Sequence, residues 1–299
     1  MPEELNQANF LNLADQDIES RYINPKTDFA FKHFFGKETH KDLLISFLNG
    51  IFKGRKVIID LVYNNNEHKG LHIKDRKTAF DLYCTGIDGE KFIVEMQQAK
   101  REFFKDRMIF YTSNLIYQQG KSVSPDWNYE LPEIYLIAIM DFSFDHTHQN
   151  QYEHDVRLID IHTHTEFYNK LGYIFIEMPK FKKKEVDLET AEDAWLFSLR
   201  NMGTLTEIPV SLRDKKEFVK LFKIAEVSNL NPDEMAAYEA SLKIARDNYS
   251  HDETVRKEGE LKGKLEEKRE IAIKLISMNI PINQIAEITG LSKEEIEKL

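Results

Sequence analysis

Residues 79–97 read AFDLYCTGIDGEKFIVEMQ, and the fold turns on how they pair. Two alternating segments, 79–85 and 91–97, flank a turn built on Gly86, Asp88 and Gly89, which is the pattern of a β-hairpin. Strand side chains alternate between faces. Phe80, Leu82 and Cys84 are therefore expected on one face, with Ala79, Asp81 and Tyr83 on the other. In the second segment Phe92, Val94 and Met96 oppose Ile93, Glu95 and Gln97. Both apolar sets reach one buried face only if residues directly across share parity, which requires an odd number of loop residues. A plain Asp88-Gly89 turn would pair Ile87 with Glu90 and bury Asp81 beside Met96. A three-residue loop, with Gly89 at the left-handed position of a G1 bulge, instead sets Asp81 opposite Glu95.

That register gathers two carboxylates and an amide, Asp81, Glu95 and Gln97, on the face away from Phe80 and Val94. Two ionised carboxylates a few ångströms apart repel, and a hard divalent cation such as Mg²⁺ relieves the repulsion. A cation held there can polarise a phosphoryl oxygen and activate a water. An amphipathic hairpin with its polar side in water would show the same pattern, so the rest of the chain has to decide.

Other stretches do. Residues 24–32 read NPKTDFAFK, Arg107 and Tyr111 lie in the segment after the hairpin, and residues 177–181 read EMPKF. Together with Asp81 and residues 95–97, EMQ, they resemble the recombination-promoting nucleases of the Rpn family, a transposase-like branch of the PD-(D/E)XK nuclease superfamily. The resemblance runs from about residue 22 to 201. It implies a restriction-endonuclease-like α/β fold with an αβββαβ core and an extended mixed sheet, followed by an all-helical C-terminal region. It also implies a metal-dependent DNA endonuclease linked to recombination or mobile elements. Asp81 and Glu95 would hold Mg²⁺, with Mn²⁺ able to substitute, assisted by the Met96 carbonyl. Gln97 stands where the wider superfamily has lysine. Having no charge, it is left to orient a water, and Lys100 one turn beyond is the substitute cation. Arg107 and Tyr111 would position the substrate strand. Asp28 has two readings: a first-turn helix acid favoured by the macrodipole, or the N-terminal acid that the resemblance places beside the metal. The rival from another class is a non-catalytic DNA-binding or assembly protein that keeps the nuclease fold.

The chain of 299 residues allows one large domain or a main domain with an appendage, with 20 Phe and 12 Tyr to fill its core. No apolar run is long enough to span a bilayer, and the opening MPEEL lacks a signal peptide's basic and apolar regions. With a single cysteine, Cys84, no intramolecular disulfide can form, and the expected compartment is the cytoplasm. A net charge of −10 argues against a protein that coats nucleic acid but not against a local groove. Lys69, Lys74, Arg76 and Lys77 before the hairpin, and Lys100, Arg101, Lys105 and Arg107 after it, bracket the carboxylates.

In chain order, residues 1–20 read as a polar tail. Phenylalanines spaced by three and four predict a helix from Thr27 or Asp28 to Gly36, and a second helix spans 41–51. Residues 56–63, KVIIDLVY, read as a central strand. Residues 103–119 predict a helix on which Arg107, Tyr111, Asn114 and Gln118 form one polar stripe. Residues 120–132 read as a loop, and 133–140, 156–161 and 172–178 as strands. Histidines 146, 148, 154, 162 and 164 lack the closed spacing of a zinc site and read as surface residues.

Helices are expected over 187–200, 214–229, 232–249 and 252–279, with Asp187 and residues 231–233 as starts. The last of these carries an apolar stripe of Leu261, Leu265, Ala272, Leu275 and Met278 that could pair two copies in a homo-oligomer. Residues 281–299 resemble a helix-turn-helix, with Gly290 at the turn and Ser292 with Glu295 as a capping box. Glu294, Glu295 and Glu297 would repel phosphate, so a packing or assembly module is favoured. The expected domains are thus a tail (1–20), a nuclease domain (21–201), a helical region packed on it (202–250) and a charged helix with its helix-turn-helix-like tail (251–299).

Overall fold

A computed structural model of the chain describes residues 20–64, 67–68, 78–120, 127–144 and 148–299. The expected tail up to residue 19, the cluster Lys69, Lys74, Arg76 and Lys77, residues 121–126 of the 120–132 loop and His146 lie outside the described residues. The chain divides into two compact units, one ending at Ala245 and the other spanning Arg246–Leu299.

The first unit opens with helices α1 (Asp28–Phe35) and α2 (Lys41–Phe52). Thr27 caps α1 by accepting from the Ala30 N–H at 3.2 Å, and Gly36 ends the helix. Strands β1 (Leu61–Tyr63), β2 (Glu67–His68), β3 (Thr78–Ala79), β4 (Leu82–Gly86) and β5 (Lys91–Gln97) follow. Next come α3 (Phe104–Gln119), β6 (Ile134–Met140), β7 (Glu153–Ile159), β8 (Glu166–Glu177), α4 (Ala191–Asn201) and α5 (Lys216–Ala225). The main sheet has the order β1-β4-β5-β6-β8-β7, while β2 and β3 pair separately. β5, β6 and β8 run parallel and the outer pairings are antiparallel. Helices, three strands (β1, β4, β5), helix and strand thus follow in the expected αβββαβ order.

Because β6 is parallel to both neighbours, helices cover both of its faces and all seven of its residues are buried. Alternation sorts the side chains into two cores. Phe92, Val94, Tyr135, Ile137 and Ile176 join Phe31, Phe47, Trp195 and Phe218 on one side. Ile93, Leu136 and Ala138 meet Phe104, Met108 and Leu115 of α3 on the other.

Three expectations need correction here. β1 is an edge strand of three residues rather than a central strand over 56–63. Ile58, Leu61 and Tyr63 turn inward, while Val57 and Ile59 are exposed, so the apolar run covers one face only. The α4 helix starts at a Thr190 cap, with Asp193 completing a capping box, rather than at Asp187. Finally, Phe80 lies outside β4 and packs with Tyr83 and Ile93 in the second core, not with Leu82.

The helices expected over 232–249 and 252–279 are one continuous helix, α6 (Pro232–Ser277), capped by Asn231, whose side chain accepts from the Glu234 N–H. Gly259 and Gly263 sit within it, where an added Cβ would meet open space. In the second unit α6 is followed by α7 (Ile282–Thr289) and α8 (Lys293–Ile296). Gly290 adopts φ +68° and the Ser292/Glu295 capping box forms. Leu265, Ala272 and Leu275 pack on Ile285, Leu291 and Ile296, leaving Leu261 and Met278 exposed. Most of the expected stripe is therefore taken up inside the chain, and the homo-oligomer gains no support. No described helix is long and apolar enough to cross a membrane.

Candidate active site

The β4–β5 hairpin has the three-residue loop Ile87-Asp88-Gly89. Gly86 and Glu90 close it, with the Gly86 N–H donating to the Glu90 carbonyl at 2.8 Å and Gly89 at φ +86°. Leu82 pairs with Val94 and Cys84 with Phe92, so Asp81, one residue before β4, stands across from Glu95. The ladder ends there. Val94 bonds toward β4, and Met96, two residues on, directs its N–H the same way, but with no strand left to meet it. Asp81 Oδ2 accepts that N–H at 2.8 Å. The Asp81 N–H in turn reaches Glu95 Oε1 at 3.3 Å. The two acids are thereby locked to each other's strands by backbone bonds, and the Met96 carbonyl is set on the same edge beside them.

The pair lies on the face of the sheet that α3 covers, with Asp81 half-buried. Glu95 is only 3% exposed. Its Oε2 accepts from the Gln97 amide at 2.7 Å, and the Gln97 carbonyl oxygen accepts from the Arg107 guanidinium. Arg107 lies over the rings of Phe104 and Tyr111, and Tyr111 packs edge-on against Phe80. One Arg107 nitrogen, Nε, is buried without a hydrogen-bond partner among the described residues.

Burial dominates the electrostatics. It pushes the Asp81 carboxyl up to about 6, against the pull of the Met96 N–H and of the Lys32 and Arg107 cations. Burial and then repulsion from Asp81 hold Glu95 well above the usual carboxylate range. The Tyr111 phenol is raised by burial and by Glu95, so it remains a donor.

This donor set suits a hard cation. Two carboxylates and a strand-edge carbonyl supply oxygen only, as Mg²⁺ requires, and Mg²⁺ commonly takes one or two carboxylates and keeps its remaining places for water and phosphate. Among the described residues no group of three or more His, Cys, Asp or Glu side chains is placed to hold a metal, so a zinc-type cluster is not formed.

The family model for PD-(D/E)XK nuclease family transposases matches residues 25–254. The chain belongs to that family. Searches of curated proteins and of solved structures returned no match. In this PD-(D/E)XK protein the mixed sheet and its covering helices are the family's α/β nuclease fold, and nucleases of this superfamily generally use divalent metal ions.

The remaining sequence-predicted residues fall at varying distances from the pair. Asp28 is the first residue of α1, exposed and joined to Lys32 at 2.7 Å, and its charge also raises the Asp81 carboxyl. Lys100 is exposed in the turn between β5 and α3. On α3 the polar stripe continues beyond Tyr111 as a Gln118–Asn114 hydrogen bond of 3.0 Å.

Lys32 is the residue that the sequence reading passed over. It acts on both Asp81 and Glu95, although it lies in α1, far from the hairpin in sequence. The available signal was its place in NPKTDFAFK, one helical turn after Asp28.

The histidine tract also needs correction. His154 is not a surface residue. Its Nε2 lies 2.5 Å from Oε1 of the fully buried Glu177, whose other oxygen accepts from the Phe144 N–H and pairs with Lys180. The 177–181 motif is thus tied to a buried ion cluster at the end of β8.

Proposed function

We propose that this protein is a Mg²⁺-dependent endodeoxyribonuclease, acting in recombination or the movement of mobile elements. The observation that carries the reading is the facing pair Asp81 and Glu95, buried, raised in pKa and fixed by each other's backbone. A merely structural hairpin has no use for two such acids, whereas a site that binds a dication does. When bound by Asp81, Glu95 and the Met96 carbonyl, the cation supplies Lewis-acid chemistry: it stabilises charge on the phosphate and activates a water for in-line attack.

The protein's own groups do the rest. Gln97 spends both ends of its amide, donating to Glu95 and accepting from Arg107, so it orients rather than carries charge. The positive charge that lysine supplies elsewhere in the superfamily comes here from Arg107, with Lys32 also acting on both acids. A guanidinium offers donors in a planar fork suited to phosphate oxygens, and Arg107 retains an unused N–H. The Tyr111 hydroxyl, kept protonated, is a further donor along the same helix face.

Mn²⁺ binding followed by electron paramagnetic resonance tests the site apart from turnover. Wild type should bind one equivalent tightly and Asp81→Ala should lose it. Equal weak binding by both proteins would contradict the reading and favour a non-catalytic protein that keeps the fold.

A further inference from the structure

We infer that a second phosphate site lies on the carboxyl side of the sheet, a cleft that grips the DNA backbone several nucleotides from the cleaved bond. The inference rests on the nuclease reading and extends it. The cleft has a volume of about 250 Å³ and is lined by Lys182, Lys183, Lys184, Glu185, Phe197 and Arg200. Lys182 and Lys184 are exposed cations. Lys183 is held by Asp193 at 2.8 Å. The one acid in the lining, Glu185, has an oxygen engaged by the Ser211 N–H at 3.0 Å. Arg200 is fixed from behind, its Nη1 donating to the Met178 carbonyl at 3.0 Å, so its guanidinium is pre-positioned rather than waving in solvent. In a chain with a net charge of −10, four cations around one concavity are a local reversal of sign.

The sheet register fixes where this cleft stands. Gln97 pairs with Met140, and Met140 with Glu177, so the three residues form one row across β5, β6 and β8 at their carboxyl ends. Adjacent strands lie about 4.8 Å apart, which puts the end of β8 about 10 Å from the end of the strand that carries Glu95. Met178, which holds Arg200, is the next residue. The cleft residues Phe181 and Phe197 belong to the first core, whereas Glu95 faces the second, so a backbone passing from one to the other crosses the carboxyl edge of the sheet and travels more than that distance. At about 3.4 Å of rise per nucleotide along one strand, it meets the cleft no sooner than after roughly three or four nucleotides. Two anchors at that spacing hold the DNA at two points and so limit its pivoting about the scissile phosphate.

The test is binding of a labelled duplex of roughly 30 base pairs by the full chain in EDTA, from about 50 to 200 mM salt. It is paired with cleavage in Mg²⁺. The proteins are wild type, Lys182→Ala/Lys184→Ala, and a control of equal charge change, Lys216→Ala/Lys223→Ala, on an exposed face of α5. The cleft variant should bind about tenfold more weakly, and its plot of log affinity against log salt should be shallower by about 1.8, the contribution of two phosphate contacts. The control should match wild type. Wild-type affinity and slope in the cleft variant would overturn the cleft while leaving the nuclease reading intact, and so would equal losses in both variants. If wild type neither binds nor cuts the duplex, both readings fall together.

Discussion

At the scale of single residues, the site is governed by what burial does to two acids. Asp81 has a folded-state pKa of about 6 against an ordinary value of 3.8, so in the metal-free protein it keeps its proton at pH values where the unfolded chain has lost it. The folded state then binds more protons than the unfolded one, and stability falls as pH rises from about 4 through 6. For Asp81 alone the change is on the order of 3 kcal/mol. Glu95 is shifted in the same direction. The metal-free protein should accordingly show a Tm that drops between pH 4 and 8. Added Mg²⁺ should raise Tm far more at pH 8 than at pH 5, because only the ionised pair binds it. Glu192, pushed up to about 7 by burial, adds a slope of the same sign. The difference between wild type and Asp81→Asn isolates the site, and the variant should lose both the Mg²⁺ response and part of the slope. Arg107→Ala should lower kcat by about 10²- to 10³-fold, the usual cost of one oriented donor to developing charge, while leaving Mn²⁺ binding in place. That Asp81 stands opposite Glu95 could be read from parity, since strand alternation needs no knowledge of distant contacts, whereas the reading of the pair as a site came from the resemblance. Lys32 could not, because an Asp28–Lys32 pair four residues apart looks like any exposed helix pair until the tertiary fold brings α1 to the hairpin.

At the scale of elements, the hairpin loop sets the chemistry. One residue fewer would turn Asp81 to the other face of its strand. Gly89 holds the loop at φ +86°, with open space where a Cβ would go, so Gly89→Ala meets backbone strain and nothing else. It should cost about 1 kcal/mol in denaturant unfolding and leave cleavage unchanged. A loss of activity in a folded Gly89→Ala protein would mean that the loop does more than set register. Local signals of this kind were readable: the three-residue loop, the Gly290 turn, the Ser292 cap and the run of β6 all follow from neighbours in sequence. β1 was misjudged for the opposite reason. Its apolar run looks central, yet Val57 and Ile59 are exposed, and only the strand order shows that β1 is at the edge. Likewise the apolar stripe of α6 has its partner within the same chain, in α7 and α8, which a helix pattern alone cannot distinguish from a second copy.

At the scale of the whole molecule, the proposed reading has a chain with a net charge of −10 hold DNA through local groups: Arg107 and Lys32 near the acids, and the proposed Lys182–Lys184 cleft at the carboxyl ends of the strands. The central claim is that Asp81 and Glu95 are a working metal site. It is tested most directly by incubating supercoiled plasmid with purified wild type and Asp81→Ala in Mg²⁺, Mn²⁺ or EDTA. Wild type should nick or linearise the plasmid in either metal and not in EDTA, and a natively folded Asp81→Ala should not cut at all. Cleavage by wild type that persists in EDTA, cleavage by the variant at the wild-type rate, or binding of plasmid by both proteins with no cleavage by either would contradict it.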